Sequence, residues 1–271
     1  MPKQLLNSHG TIRTNTILFN LFTMISKAKV KYMKSLQVKK YRIEEQSFVV
    51  EGAKSVAELL MSDFVTTWVA ATESFIDQHE KELKSSRAEV VVASFEQLSA
   101  LGSFQTNDAA LAVARIKPNR SLIIEDGEIA LVLDSIRDPG NLGTIIRTAD
   151  WYGIKNIIAS EETADFYNPK VLSASMGSFC RISIQYVSLV DYLTAVDRPI
   201  FGTFLEGIDV HQLSFSSGGL IVIGNESNGI SPEVEKLVSQ KITVPRFGKA
   251  ESLNAAIATG IVLDVVRQSK K

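Results

Sequence analysis

The stretch from Gly219 to Lys271 constrains the fold most, because strand, polar loop, second strand and long helix follow one another without a break. Gly219-Leu220-Ile221-Val222-Ile223 is an apolar, β-rich run. It stops at Gly224-Asn225-Glu226-Ser227-Asn228-Gly229, a loop by composition. Ser231-Pro232-Glu233 reads as an N-cap, a first-turn proline and an acidic first turn, which predicts a short helix to about Val238. Ile242-Thr243-Val244-Pro245 is the next strand, and a helix opens at Ser252-Leu253-Asn254 and runs to about Val266. Its alanines and Gly260 suit close packing against a neighbour.

Polar clusters at strand ends are where open α/β sheets bind ligands, and this chain has three. Two are Asn225-Glu226 and Ser252-Asn254. The third follows Ile129-Ala130-Leu131-Val132-Leu133-Asp134, a buried-strand pattern leading into Arg137-Asp138-Pro139-Gly140-Asn141, read as a turn, and a helix from Leu142 to about Tyr152. Asn141 stands at the start of that helix, where asparagine is a common cap, and Arg147 lies within it.

Asn141-x-Gly143-x-x-x-Arg147, then Gly224-Asn225-Glu226, then Val244-Pro245 followed by Ser252-Leu253-Asn254 closely resembles the three motifs of the SpoU/TrmH family of RNA ribose 2'-O-methyltransferases. The resemblance runs over roughly 125–268 and implies an S-adenosylmethionine-dependent enzyme without a metal. It implies catalytic roles for Arg147, Asn141, Glu226, Ser252 and Asn254. Donor binding falls to Gly224, Val244 and Leu253, with Ile223, Asn225, Pro245 and Ser252 around them, largely through main-chain groups. Gly224, having no side chain, is expected to let backbone approach the ligand. Family membership further implies a C-terminal trefoil knot, which topology rules by themselves disfavour, and a homodimer.

The rest of the chain fits a second unit. Phe48–Glu51, Phe64–Ala71, Glu89–Val92 and Ala112–Ile116 are expected strands, alternating with helices over Ala53–Met61, Glu73–Leu83 and Phe95–Leu101, the last capped by Ser94. Lys39 to Gly52 resembles the N-terminal substrate-binding domain of SpoU enzymes, similar to the ribosomal protein L30e type of RNA-binding fold. The fold class is thus α/β in two domains: 24–117 L30e-like and 129–271 a parallel-sheet catalytic domain, joined by a linker at 118–128. Further strands are expected at 129–134, 155–159, 181–187 and 200–205, with helices near 142–152, 169–176 and 188–197. Residues 1–23 are read as an extension or disordered. Their apolar patch, Ile17 to Phe22, is short, broken by Asn20 and without a signal-peptide cleavage site.

Charge supports a nucleic-acid partner. The net charge of −1 conceals nine Lys or Arg and no acid in residues 1–42, a cationic block that attracts phosphate. Lys27, Lys31, Lys34, Lys39, Lys40 and Arg42 are its candidate RNA contacts. One cysteine, Cys180, rules out an intramolecular disulfide and suits a reducing cytoplasm. No Walker loop, G-x-G-x-x-G, H-E-x-x-H or G-x-S-x-G occurs. Large-subunit rRNA is the favoured substrate, because an L30e-like front domain is the arrangement of this family's rRNA enzymes. The alternatives are a tRNA enzyme, an RNA-binding protein that keeps the fold without methylating, and a phosphate-handling enzyme using Gly140 to Gly143 as an anion cradle.

Overall fold

The computed structural model of the chain describes residues 25–102 and 109–269, preceded by a backbone pairing of β1 (Arg13–Thr14) with β2 (Ile17–Leu18). Apart from that pairing, the reading of residues 1–23 lies outside the described residues. The chain divides into two compact units between Lys117 and Pro118.

The first unit runs α1 (Lys27–Ser35), α2 (Lys39–Glu45), β3 (Ser47–Glu51), α3 (Ala53–Leu60), β4 (Thr66–Ala71), α4 (Glu73–Gln78), α5 (Glu80–Ser86), β5 (Glu89–Val92), α6 (Phe95–Leu101) and β6 (Ala110–Arg115). Its sheet has the order β3-β6-β4-β5, with β6 antiparallel to both neighbours and β4 parallel to β5. Met33, Leu36, Val49, Trp68, Leu98, Leu111 and Val113 form a core cluster. Ser94 caps α6 in a full capping box with Gln97. The helix expected over 73–83 is two helices, because His79 leaves helical geometry (φ −119°, ψ 25°) and lays its ring against Phe75, 4.4 Å between centroids. A second correction concerns Arg42, which is not an RNA contact: it is only 2% exposed. Its Nη1 donates to the carbonyls of Leu36 and Gln37, 2.9 Å each, closing the turn between α1 and α2. The other five candidate lysines are exposed.

The second unit runs β7 (Ile129–Leu133), α7 (Pro139–Trp151), β8 (Asn156–Ser160), α8 (Pro169–Ser175), a 3-10 turn at Ser178–Cys180, β9 (Ser183–Val187), α9 (Leu189–Ala195), β10 (Ile200–Asp209), a 3-10 turn at Val210–Gln212, β11 (Gly219–Ile223), α10 (Pro232–Glu235), β12 (Gln240–Thr243) and α11 (Ala255–Gln268). Its six strands are ordered β12-β10-β11-β7-β8-β9, and every neighbouring pair is parallel, as expected for strands buried on both faces. From β7 the chain steps outward through β8 and β9, crosses the sheet to β10, and returns to lay β11 against β7. Order therefore reverses between β7 and β11, with Leu133 opposite Ile223 at their ends. Loops diverge from such a point and leave a crevice at the carboxyl ends of the strands.

Local chemistry moves several expected boundaries. α7 starts at Pro139, not Leu142: Asp138 is the N-cap, its Oδ1 accepting the Asn141 N–H at 2.8 Å, and proline fits the first position without losing a needed donor. Asn141 therefore sits inside the first turn and is not the cap. α10 ends at Glu235, since Leu237 and Val238 bond back three residues in tighter turns. β12 covers Gln240–Thr243, so Val244 and Pro245 belong to the loop after it. β10 extends to Asp209, beyond the expected end, across an irregularity between Thr203 and Ile208. Among the described residues no helix is long and apolar enough to cross a membrane.

Candidate active site

Three loops leave the carboxyl ends of β7, β11 and β12, and hydrogen bonds between their side chains tie them together. After β7, Asp134 is buried at 4% exposure and Ser135 takes a left-handed conformation (φ 59°), its N–H donating to Ser160 Oγ at 3.0 Å. α7 then carries Asn141 and, two residues on, Gly143. A Cβ at 143 would lie 2.6 Å from both Ala174 Cβ and the Val171 carbonyl oxygen, so this glycine lets α7 and α8 touch.

The loop after β11 is closed on itself. Asn225 and Gly229 exchange backbone hydrogen bonds of 3.0 and 2.9 Å, and Asn225 Oδ1 accepts the N–H groups of Ser227 and Asn228. Its Nδ2 donates to the Ser135 carbonyl at 2.8 Å, and Ser231 donates to Asp134 Oδ2 through both N–H and Oγ, 2.7 Å each. The loop is thus pinned to the end of β7 at both of its own ends, and Glu226 stands half-buried on it. Gly224 has a packing role of its own. A Cβ there would fall 2.3 Å from the Gly229 carbonyl carbon and 2.4 Å from the Ile230 nitrogen, so its bareness admits the loop's own backbone.

After β12 the chain must recross β10 and β11, about 10 Å at the usual strand spacing, before α11 begins beside α7. Asn254, not Ser252, is the N-cap of α11, and Oδ1 accepts the N–H groups of Ala256 and Ile257 at 3.0 and 3.3 Å. Because that oxygen is committed to the helix, the amide nitrogen must face outward, and it donates to Asn141 Oδ1 at 2.9 Å. Asn141 in turn presents Nδ2 to Glu226 Oε1. The cap thus dictates both amide orientations, and the relay Asn254→Asn141→Glu226 has one polarity.

This polarity gives a first test. Asn254→Ala is expected to destabilise the protein by about 1 kcal/mol through loss of the cap. Asn254→Asp keeps a cap acceptor and is expected to melt close to wild type while reversing what Asn141 offers Glu226. Thermal denaturation of both variants checks the pair.

Asn141, Glu226 and Asn254 are therefore brought into direct contact. Arg147 and Ser252 are exposed, and no hydrogen bond or ion pair joins their side chains to any described residue. Arg147 lies about 9 Å along α7 from Asn141. The acid nearest to it on the helix, Asp150, is already engaged: partial burial pushes its carboxyl up, but the Arg181 guanidinium and the Ser178 hydroxyl hold it below the usual range. Arg181 Nε and Nη2 both donate to it, at 2.8 to 3.0 Å. Of the expected donor-binding residues, Ile223 is buried, Gly224, Asn225, Val244 and Pro245 are half-buried, and Leu253 is 46% exposed. Sequence reasoning missed Asp134, Asp138 and Ser231. An acid ending an apolar strand was the available sign for Asp134, and Asp-Pro ahead of a helix was the sign for Asp138. Among the described residues no group of three or more His, Cys, Asp or Glu is placed to hold a metal ion.

Comparison with known proteins follows the same division. A model of the SpoU rRNA Methylase family matches residues 128–264, and one of the MRM3-like substrate binding domain matches 27–112. The chain is 30% identical over 239 residues to the Bacillus subtilis 23S rRNA (guanosine(2553)-2'-O)-methyltransferase RlmP, covering 87% of this chain and 94% of that protein. It is 28% identical over 185 residues to the 23S rRNA (guanosine-2'-O-)-methyltransferase RlmB of Acinetobacter baylyi, covering 63% and 75%. The AdoMet-bound rRNA methyltransferase from Sinorhizobium meliloti superposes with a TM-score of 0.83 at 29% identity, over 92% of this chain and 98% of that one.

Proposed function

This chain belongs to the SpoU rRNA methylase family, and from that premise we propose that it methylates a ribose 2'-hydroxyl of RNA, with large-subunit rRNA as substrate and S-adenosylmethionine as donor. The observation that carries the reading is the Asn254–Asn141–Glu226 relay, which joins one residue from each of the three motifs at the switch point of a parallel sheet.

S-adenosylmethionine, when bound, supplies a methyl group on a good leaving sulfur. The residues around the relay fit such a ligand: Val244, Pro245 and Leu253 offer partly exposed apolar surface for adenine, beside main-chain groups of Ile223, Gly224 and Asn225. Holding donor and hydroxyl in line accounts for much of the barrier, about 7–11 kcal/mol in favourable cases. The hydroxyl must also lose its proton as its oxygen takes the methyl. We assign Arg147 to the developing alkoxide and the adjoining phosphate, since a guanidinium stays charged and is a poor proton acceptor. Asn141 and Glu226 orient the site, Asn254 fixes their polarity, and Ser252 lies two residues before Asn254 in the chain.

The exposed lysines 27, 31 and 34 share one face of α1, and Lys39 and Lys40 follow on α2; in this reading they take RNA phosphate. We further read the protein as a cytoplasmic homodimer with a C-terminal knot. Support for a second copy comes from α7, where Trp151 is 84% exposed on the helix that carries Arg147. Support for the knot comes from the loop that recrosses the sheet to set α11 against α7.

The test is transfer of labelled methyl from S-adenosylmethionine to unmodified rRNA transcripts, with tRNA transcripts in parallel, followed by mapping of the ribose. Large-subunit rRNA is expected to accept methyl at a 2'-oxygen, and Asn141→Ala to lower the rate about 10²-fold. Labelling of tRNA alone overturns the substrate assignment. A base-methylated product overturns the chemistry.

A further inference from the structure

Phe247 is 98% exposed, in the loop between β12 and α11. Water around a whole phenyl ring is unfavourable, and no described residue of this chain relieves it. The ring is flanked by two cations. Arg246 donates from Nη1 to the Ala250 carbonyl at 3.3 Å, drawing the loop into a bend. Lys249 is exposed and, among the described residues, has no ion pair. Between them Gly248 leaves open space, with nothing within 4 Å of where a Cβ would be. The loop ends at Asn254, the first member of the relay, so the ring lies within about 25 Å of it along the chain.

We propose that Phe247 is a stacking platform for an unpaired base of the RNA substrate, with Lys249 and Arg246 holding the phosphates beside it. An aromatic face among cations is what a single strand requires, one group for the base and others for the backbone. The competing occupants fit less well. The donor carries no phosphate, and its single carboxylate is outweighed by an ammonium and a sulfonium, so a pair of cations suits it less than a polyanionic strand. A two-fold axis passing through this loop would bring Arg246 and Lys249 toward their own equivalents. A base on Phe247 must be out of its helix, so the RNA bound beside the site includes a loop, bulge or other unpaired segment. This rests on the RNA methyltransferase reading above.

The experiment uses the full chain and an unmodified large-subunit rRNA transcript in filter binding, which needs no turnover. Phe247→Ala is expected to weaken RNA binding about 5- to 150-fold. Phe247→Tyr is expected to restore it, and S-adenosylmethionine affinity by calorimetry to stay at the wild-type value. Lys249→Gln is expected to lower the slope of log affinity against log salt by about 1. Unchanged RNA affinity in Phe247→Ala overturns the proposal. So does a loss confined to donor affinity, which makes the ring a lid on the donor, or a change in sedimentation, which makes it a contact between copies. A wild-type protein that binds RNA but transfers no methyl overturns the enzymatic reading instead, and the Phe247 comparison still reads out.

Discussion

Arg147→Ala is expected to lower turnover by about 10²- to 10³-fold, the range seen when one preorganised charge donor is removed, while folding and donor affinity stay at the wild-type value. The side chain is exposed and, among the described residues, unpaired. Its removal leaves no buried partner stranded, and surface changes of this kind move stability by about 0.5 kcal/mol or less. Asp150 does not neutralise it, being held by Arg181. An uncommitted guanidinium on a helix whose first turn enters the relay has no structural duty to explain it. Arg147→Lys keeps the charge but not the planar fork and is expected to recover part of the rate. Single-turnover methyl transfer, with donor affinity measured calorimetrically, checks both variants. Wild-type turnover in Arg147→Ala removes the residue from the mechanism.

Gly224→Ala has the second large effect, and it acts through the fold. The added methyl meets the Gly229 carbonyl carbon at 2.3 Å and the Ile230 nitrogen at 2.4 Å, both backbone atoms that cannot swing aside. The loop cannot retreat as a whole either, because Asn225 is bonded to Ser135 and Ser231 to the buried Asp134. Breaking those contacts leaves a buried carboxylate short of donors, about 1–3 kcal/mol or more, on top of about 1–3 kcal/mol for overpacking. A loss of several kcal/mol is expected by denaturant titration, together with loss of donor binding. Gly248→Ala, which meets nothing within 4 Å, is the matched control and is expected to melt like wild type.

The architecture of the second unit was legible because its two central strands are unbroken apolar runs. Ile129–Leu133 and Gly219–Ile223 announce themselves, and both are fully buried in the sheet. Errors arose where one residue type serves two purposes. Asp138-Pro139-Gly140-Asn141 has the composition of a turn, yet a capping carboxylate and a first-position proline begin a helix with the same letters. Ser252 was a plausible cap with Asn254 in the first turn, but α11 begins only after Asn254, whose side chain caps it and also reaches Asn141, 113 positions away. That Gly224 also makes room for Gly229 shows only in the folded loop. Arg42 was counted with the exposed lysines, although on α2 it points inward while its neighbours Tyr41 and Ile43 are exposed; a buried guanidinium that caps carbonyls has no signature in charge pattern alone.

The direction of the Asn254 amide reaches beyond geometry into the order of events during synthesis. A growing chain has made the Asn141 and Glu226 segments well before it makes α11, and until α11 folds no helix claims the Asn254 oxygen. Through that interval nothing fixes which way the Asn141 amide turns. Folding of α11 settles it, because the helix takes the Asn254 oxygen and leaves the nitrogen for Asn141.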